Sequence, residues 1–341
     1  MRAFITGLAG TTLTTAERQF VQDAAPWGLI LFKRNVTTPD ALRHLIAEFR
    51  AAVGRQAPVL VDQEGGRVQR LGPPHWPAYP PGAAYGAVFD RDRDAGLRAA
   101  RLGGRLIAND LARLGIDVDC APVADVPAAL AHPVIGDRAY GADPAKVAAL
   151  GGAFAAGLAE GGVLPVLKHL PGHGRATADS HQRLPAVTAD RATLDATDFA
   201  AFRPLSGLPM GMTAHVVFTA IDPVAPATTS ANIVKHVIRD SIGFTGLLMS
   251  DDISMGALSG SLSERTRAAI AAGCDVVLHC NGVLSEMVEV AAEAPALAGE
   301  AARRAEAALA ARKPPAPIDI AASRGELAKL LNDIRPEAGF A

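Results

Sequence analysis

Asp251 directly follows the apolar run Thr245-Gly-Leu-Leu-Met-Ser250. A carboxylate in that place can serve as nucleophile, general base or metal ligand. Its neighbour Asp252 points the other way on strand alternation, and reads equally well as a carboxylate capping its own loop. A second apolar run ends in Lys168-His-Leu-Pro-Gly-His-Gly174, whose glycines permit close backbone approach or positive φ. That turn leads to Asp179-Ser180-His181. Two residues apart in extended chain, Asp179 and His181 share a face. The carboxylate could then orient the imidazole and stabilise its charged form, as in a triad without its serine. An imidazole with an ordinary pKa of about 6.5 can give and take a proton near neutrality.

Further polar residues fall where other apolar runs stop. Asp62 closes Val59 to Asp62, His169 follows Lys168, and His215 closes Met210 to His215. Arg70 in Gly65-Gly-Arg-Val-Gln-Arg70 and Arg138 in Ile135-Gly-Asp-Arg138 lie in loops that could fold over the same ground. Arginine suits bidentate contacts with hydroxyl pairs or carboxylates. Each residue alone has an ordinary structural reading, as a surface arginine or a solvated histidine. So many strand ends and adjoining loops supplying polar groups together is hard to explain as solubility.

Two other chemistries use the same residue types. His169, His173, His181, His215 and Asp251 could hold a metal ion in a metal-dependent hydrolase. Such barrels generally want a His-x-His at the end of the first strand, where this chain has Thr6-Gly7-Leu8. A non-catalytic sugar-binding barrel is the other alternative, but binding alone does not require an Asp/His pair opposite a carboxylate.

The elements that must position these groups alternate between short apolar runs and longer amphipathic ones. Ala3 to Thr6, Gly28 to Phe32, Val59 to Asp62, Ile116 to Cys120, Leu164 to Lys168, Met210 to His215, Gly246 to Ser250 and Asp275 to Leu278 read as eight strands. Helices are expected at Thr14 to Asp23, 39 to 53, Leu97 to Leu114, 144 to 160, Leu194 to Phe202, Ser230 to Asp240 and Ser263 to Ala272. The second is the clearest. Thr38 can cap it, Pro39 sits at its first position, Leu42, Leu45, Ile46 and Phe49 form one stripe, and Gly54 ends it. Eight apolar strands separated by helices make a (β/α)8 TIM-type barrel, whose chemistry sits at the C-terminal rim. The rival, a doubly wound open sheet, wants a Gly-rich phosphate turn that Gly7-Leu8-Ala9-Gly10 matches poorly. Residues 1–341 read as one domain, with a helical tail from about residue 297. Gly65 to Val88 and Pro171 to Ala189 are expected to be long irregular loops.

Composition bounds the classes. Of 341 residues 49% are hydrophobic and 20% charged, with a formal net charge of -2. That leaves no basic footprint for nucleic acid. No run approaches the length of a membrane span, and no basic cluster precedes an apolar core near Met1, so neither a membrane segment nor a secretory signal is expected. Cys120, Cys274 and Cys280 have no CxxC spacing, which suits packing roles in a reducing compartment.

Taken together, Lys168-His-Leu-Pro-Gly-His-Gly174, Asp179-Ser-His181, Ser250-Asp-Asp-Ile-Ser-Met255, Val61-Asp-Gln-Glu-Gly-Gly-Arg-Val-Gln-Arg70 and Ile135-Gly-Asp-Arg138 resemble the single-domain β-N-acetylglucosaminidases of glycoside hydrolase family 3. The matches run from about residue 5 to 285. The resemblance implies Asp251 as nucleophile, His181 as acid/base and Asp179 as its partner. It also implies that Asp62, Arg70, Arg138, Lys168 and His169 hold sugar hydroxyls; His215 is placed with that substrate-binding set. It implies a terminal β-linked N-acetylglucosamine of a peptidoglycan-derived muropeptide as substrate, no metal or other cofactor, a cytoplasmic location and a monomer. Leu170 and Ile253 replace the family's usual Phe and Leu by apolar swaps. Two-domain relatives draw a glutamate acid/base from elsewhere, and this chain has no room for that domain. The loop carrying His181 is expected to be mobile.

Overall fold

A computed structural model describes residues 1–129, 131–180 and 184–332 of the chain. Eight parallel strands close on themselves: β1 (Arg2–Thr6), β2 (Pro26–Leu31), β3 (Val59–Val61), β4 (Val118–Asp119), β5 (Leu164–Leu170), β6 (Met210–Thr213), β7 (Leu247–Asp252) and β8 (Val276–His279). Each pairs with the next in sequence, and β8 returns to β1 with Phe4 opposite Val277. The helices are α1 (Thr15–Ala24), α2 (Pro39–Val53), α3 (Gly82–Arg91), α4 (Arg93–Ala112), α5 (Pro144–Glu160), α6 (Arg191–Ala196), α7 (Asp198–Phe202), a wide-turned segment Ile233–Ser241, α8 (Leu262–Ala272), α9 (Leu284–Glu293), α10 (Gly299–Ala310) and α11 (Ile320–Asn332). This is the (β/α)8 barrel expected.

Strand alternation builds both the core and the rim. Ile5, Ile30, Leu60, Val118, Val166, Met210, Met249 and Leu278 point inward and fill the barrel with Trp27 and Cys120. Their neighbours Phe4, Leu29, Val59, Leu167, Leu248 and Val277 point outward beneath the helices. One further step of the same period places Asp62 after Leu60, Lys168 after Val166, Asp251 after Met249 and Cys280 after Leu278. All four line one cavity at the C-terminal rim. The barrel's floor and its polar rim are successive layers of one pattern.

α2 follows its sequence signals closely. The Thr38 side chain accepts from the Ala41 amide, and Gly54 ends the helix at φ 72°. Leu42, Leu45, Ile46 and Phe49 are buried on one face, each stabilising the packing by on the order of 2 kcal/mol.

Several expected boundaries shift. The fourth strand contracts from Ile116–Cys120 to two residues. The expected helix 194–202 breaks at Thr197, which leaves helical geometry at ψ -80° and whose hydroxyl lies 2.7 Å from both the Thr193 carbonyl oxygen and Asp198 Oδ2. Within the stretch expected to be irregular lie the hairpin Gln63–Gly65/Val68–Gln69 and α3. α3 and α9 begin at Pro81 and Val283, neither of which offers a side-chain cap, so the usual start signal is absent. The helical tail expected from about residue 297 divides into two helices, α10 and α11, the second starting at Ile320.

Candidate active site

The hairpin after β3 returns Arg70 over Asp62. Gln63 staples it, its Oε1 accepting from the Arg70 and Leu71 amides at 3.0 Å each while its Nε2 donates to the Leu71 carbonyl. The turn is built on Gly65 at φ 99°, where a Cβ would come within 2.2 Å of the Pro80 carbonyl oxygen.

Around this hairpin the charges interlock. Lys168 Nζ, buried at the end of β5, lies 2.8 Å from Asp62 Oδ1 and 2.7 Å from Glu64 Oε1. Arg70 donates to Asp62 Oδ2 at 2.8 Å. Arg138 makes a two-pronged contact with Glu64, 2.8 Å on each oxygen. Burial pushes the Asp62 and Glu64 carboxyls up, but the opposing cations outweigh it. Asp62 is held well below the usual range, and Glu64 falls to about 2. Burial likewise disfavours charged Lys168, yet Asp62 and Glu64 raise its pKa overall. The result is a rigid set of donors and acceptors suited to a ring of sugar hydroxyls.

A second network carries the histidines. Asp125, in the loop after β4, accepts from His169 Nδ1 at 2.7 Å on one oxygen and from the His173 amide at 2.6 Å on the other. One carboxylate thereby ties the end of β5 to the loop that follows it. Gly174 lets that loop pass the 126 backbone, since a Cβ there would meet the Val126 carbonyl at 2.2 Å.

Asp251 lies at the side of the same cavity, its Oδ1 accepting from the Asp252 amide at 2.7 Å. Burial raises its pKa, while His215, His169, that amide and Lys168 bring it below the ordinary carboxylate value, so it is ionised at neutral pH. Asp252 takes the capping role, accepting from the Ser254 amide and hydroxyl and from the Cys280 amide.

Asp62, Arg70, Arg138, Lys168, His169, Asp179 and Asp251 all line this cavity of about 450 Å³. His215 does not. Its Nδ1 contacts Thr228 Oγ1 at 2.7 Å and its Nε2 contacts the Asp252 carbonyl at 2.9 Å, leaving neither nitrogen for substrate. Its expected place among the sugar contacts is corrected to a buried support beneath β7. His181 lies outside the described residues. Sequence reasoning missed Glu64 and Asp125. Glu64 stands two positions after Asp62 and so shares its face in extended chain, a signal that was there to use. Asp125 had none, because it sits in irregular backbone beyond Ala121-Pro122. Among the described residues, no group of three His, Cys, Asp or Glu side chains is arranged to hold a metal ion.

A polar pocket sunk into the C-terminal rim of a closed barrel, with an ionised carboxylate beside interlocked charges, is where a barrel enzyme keeps its chemistry. Comparison with known proteins makes the class specific. Residues 7–309 match the glycosyl hydrolase family 3 N-terminal domain, and the chain belongs to that family. It is a glycoside hydrolase of the β-hexosaminidase type. It is 42% identical over 283 residues to the beta-hexosaminidase of Alkalilimnicola ehrlichii, covering 81% of this chain and 79% of that one. The Chromobacterium violaceum beta-hexosaminidase is 38% identical over 88% of this chain and 84% of its own. The crystal structure of Neisseria gonorrhoeae NagZ in complex with N-trifluoroacetyl-D-glucosamine superposes with a TM-score of 0.85 at 32% identity, covering 98% of both chains.

Proposed function

We propose that this enzyme is a retaining β-N-acetylglucosaminidase that removes terminal β-linked N-acetylglucosamine from peptidoglycan-derived muropeptides. The observation that carries this reading is the pairing, in one closed-bottomed cavity, of ionised Asp251 with the Asp62–Lys168–Glu64–Arg138 charge network. Its size suits a single sugar ring. Similarity to a NagZ that binds a glucosamine derivative supports the sugar assignment.

Asp62, Arg70, Arg138, Lys168 and His169 hold the ring hydroxyls. Asp251 attacks the anomeric carbon as the bond to the leaving oxygen breaks, and His181, as imidazolium, gives that oxygen its proton. The aglycone departs as an alcohol, leaving a glycosyl ester on Asp251. Neutral His181 then takes a proton from water as the water oxygen attacks the same carbon, and Asp251 is released. Asp179 orients the imidazole and stabilises its charged form. The whole chain acts as one catalytic unit, a monomer working in the cytoplasm without cofactor. No helix among the described residues is long and apolar enough to cross a membrane.

Incubation with a 2-acetamido-5-fluoro glycosyl donor, followed by peptide mass spectrometry, tests the assignment. A label on Asp251 is expected; a label on another residue, or none, sinks it. Asp251→Asn should abolish turnover of an aryl β-N-acetylglucosaminide, and activity should survive exhaustive chelation.

A further inference from the structure

We propose that Arg34 is a specificity-determining residue, a receptor at the mouth of the cavity for a carboxylate carried by the leaving group. This deepens the reading of the cavity as a glycosidase site and rests on it. Five lysine and arginine side chains line the cavity among the described residues. Four of them are committed: Lys168 to Asp62 and Glu64, Arg70 to Asp62, Arg138 to Glu64 and Arg67 to Asp137. Arg34, the fifth, makes no ion pair with any described carboxylate. Asp252 acts on it through space, but that carboxylate is occupied by Ser254 and the Cys280 amide.

The guanidinium is held in place. Its Nε donates to the Leu8 carbonyl at 2.8 Å and its Nη2 to the Cys280 carbonyl, while Nη1 has no partner among the described residues. The turn that carries it is pinned by buried Asn35, whose Nδ2 donates to the Leu8 and Gly10 carbonyls and whose Oδ1 accepts from the Phe32 amide. The central carbon of Arg34 stands 4.9 Å from the centre of the Phe32 ring, and that of Arg70 5.1 Å from the same centre. Two cations against one ring repel each other. Asp62 compensates Arg70; the charge of Arg34 is left open to an anion from outside.

Exposure orders these cations from floor to mouth. The side chain of Lys168 is 2% exposed, Arg138 10%, Arg70 27% and Arg67 47%, and Arg34 is exposed as well. The charges assigned to the sugar are the deep ones, on the β3 to β5 side, with Asp251 on β7. Arg34 reaches from the turn after β2 across β1 to the Cys280 carbonyl at the end of β8, and the Cys280 amide donates to Asp252, next to the proposed nucleophile. A sugar held at the floor has its anomeric carbon at Asp251, and the group bonded to that carbon leads out past Arg34. A guanidinium with free N–H donors in that place suits a planar carboxylate, and gives a neutral leaving group no comparable contact.

The test is a pair of alkyl β-N-acetylglucosaminides that differ only in ending in a carboxylate or in the matching carboxamide. The parent enzyme should favour the acid over the amide by about three- to tenfold in kcat/KM, the worth of a half-exposed charged contact, and the preference should shrink as salt is added. In Arg34→Gln, and in Arg34→Met, which keeps an apolar stem over Phe32, the ratio should fall below about twofold. Arg34→Lys, which keeps the charge, should retain most of it. Because each reading is a ratio of two substrates on one protein, a loss of folded enzyme lowers both rates alike and leaves the ratio untouched. Equal turnover of acid and amide by the parent overturns the assignment of Arg34, and so does a preference that survives in both uncharged variants. If the parent turns over neither glycoside, the glycosidase reading fails first and this proposal with it.

Discussion

Lys168 is a buried ammonium shared by two carboxylates, and that sharing fixes what each partner contributes. Asp62 divides its two oxygens between Lys168 and Arg70. On the proposed reading, Asp62→Asn would leave both cations short of a counter-charge and remove a charged acceptor from the sugar. Charged hydrogen bonds are each worth about 1.5–3 kcal/mol, so kcat/KM should fall about 10- to 100-fold, measured on an aryl glycoside. His215 makes the contrasting case. Its ring holds the Asp252 carbonyl and stands close to Asp251 without reaching the cavity. His215→Phe should therefore lower kcat with little change in KM, and a selective rise in KM would contradict its supporting position. Much of this residue chemistry was legible beforehand. Asp62, Lys168 and Asp251 could be found because they extend an inward alternation by one step. Asp125 was not legible because a carboxylate in irregular backbone has no period to betray it, and Glu64 because it lies in the hairpin beyond the apolar run that marks β3.

Among the elements, the hairpin after β3 and the loop around Arg138 are tied to β5 through Glu64. The Glu64 carboxyl lies near 2, below the ordinary value of about 4.3. Because the folded value is depressed, its contribution is complete above about pH 5 and lost as the pH falls toward 2, amounting to about 3 kcal/mol. Chemical denaturation should show Glu64→Gln less stable than the parent by roughly that amount at pH 7, with the gap closing toward pH 2. A constant gap across that range would mean that packing, not charge, is what Glu64 supplies. The first part of the loop after β5, through Arg175, is tied down: Asp125 accepts from the His173 amide, the Gly174 carbonyl accepts from the Ala128 amide, and Arg175 pairs with Asp198 at 2.5 Å. None of those anchors adjoins the loop in sequence. α2 and α5, which open on Thr38-Pro39 and Asp143-Pro144, were legible to the residue; α4 starts four residues before its expected Leu97 although Asp92 caps it, and α3 and α9, which start without a side-chain cap, were not legible.

For the molecule as a whole, the end of the barrel opposite the site is fastened by two buried carboxylates. Asp117, just ahead of β4, is gripped by Arg50 and Arg312; Asp275, just ahead of β8, by Arg239 and Arg304. The tail belongs to this fastening. The Ala316 amide donates to the Glu160 carbonyl, Arg105 reaches the Ala316 carbonyl, and α11 lays Leu327 against the core while Arg98 pairs with Glu326. Ending the chain after Arg312 should lower Tm by several degrees and leave KM unchanged, because residues 313–332 pack on α3, α4 and α5 and none of them lines the cavity; scanning calorimetry beside an activity assay would read both. A barrel could be inferred from eight apolar runs, but nothing in the Pro-rich stretch 313–317 announced that it would strap α10 back onto α5.

The cavity has a shut bottom, where Ile30, Met212 and Leu278 meet the packed barrel interior. On the proposed reading, such a pocket imposes an itinerary. The end of a glycan enters, so an internal residue of a chain is out of reach. The severed remainder then steps out before a water molecule takes its place, and the captured sugar is the last to leave, by the way it came. Each visit then trims one unit and ends in full release, and a polymer is shortened by repeated encounters instead of by a continuous glide along its length.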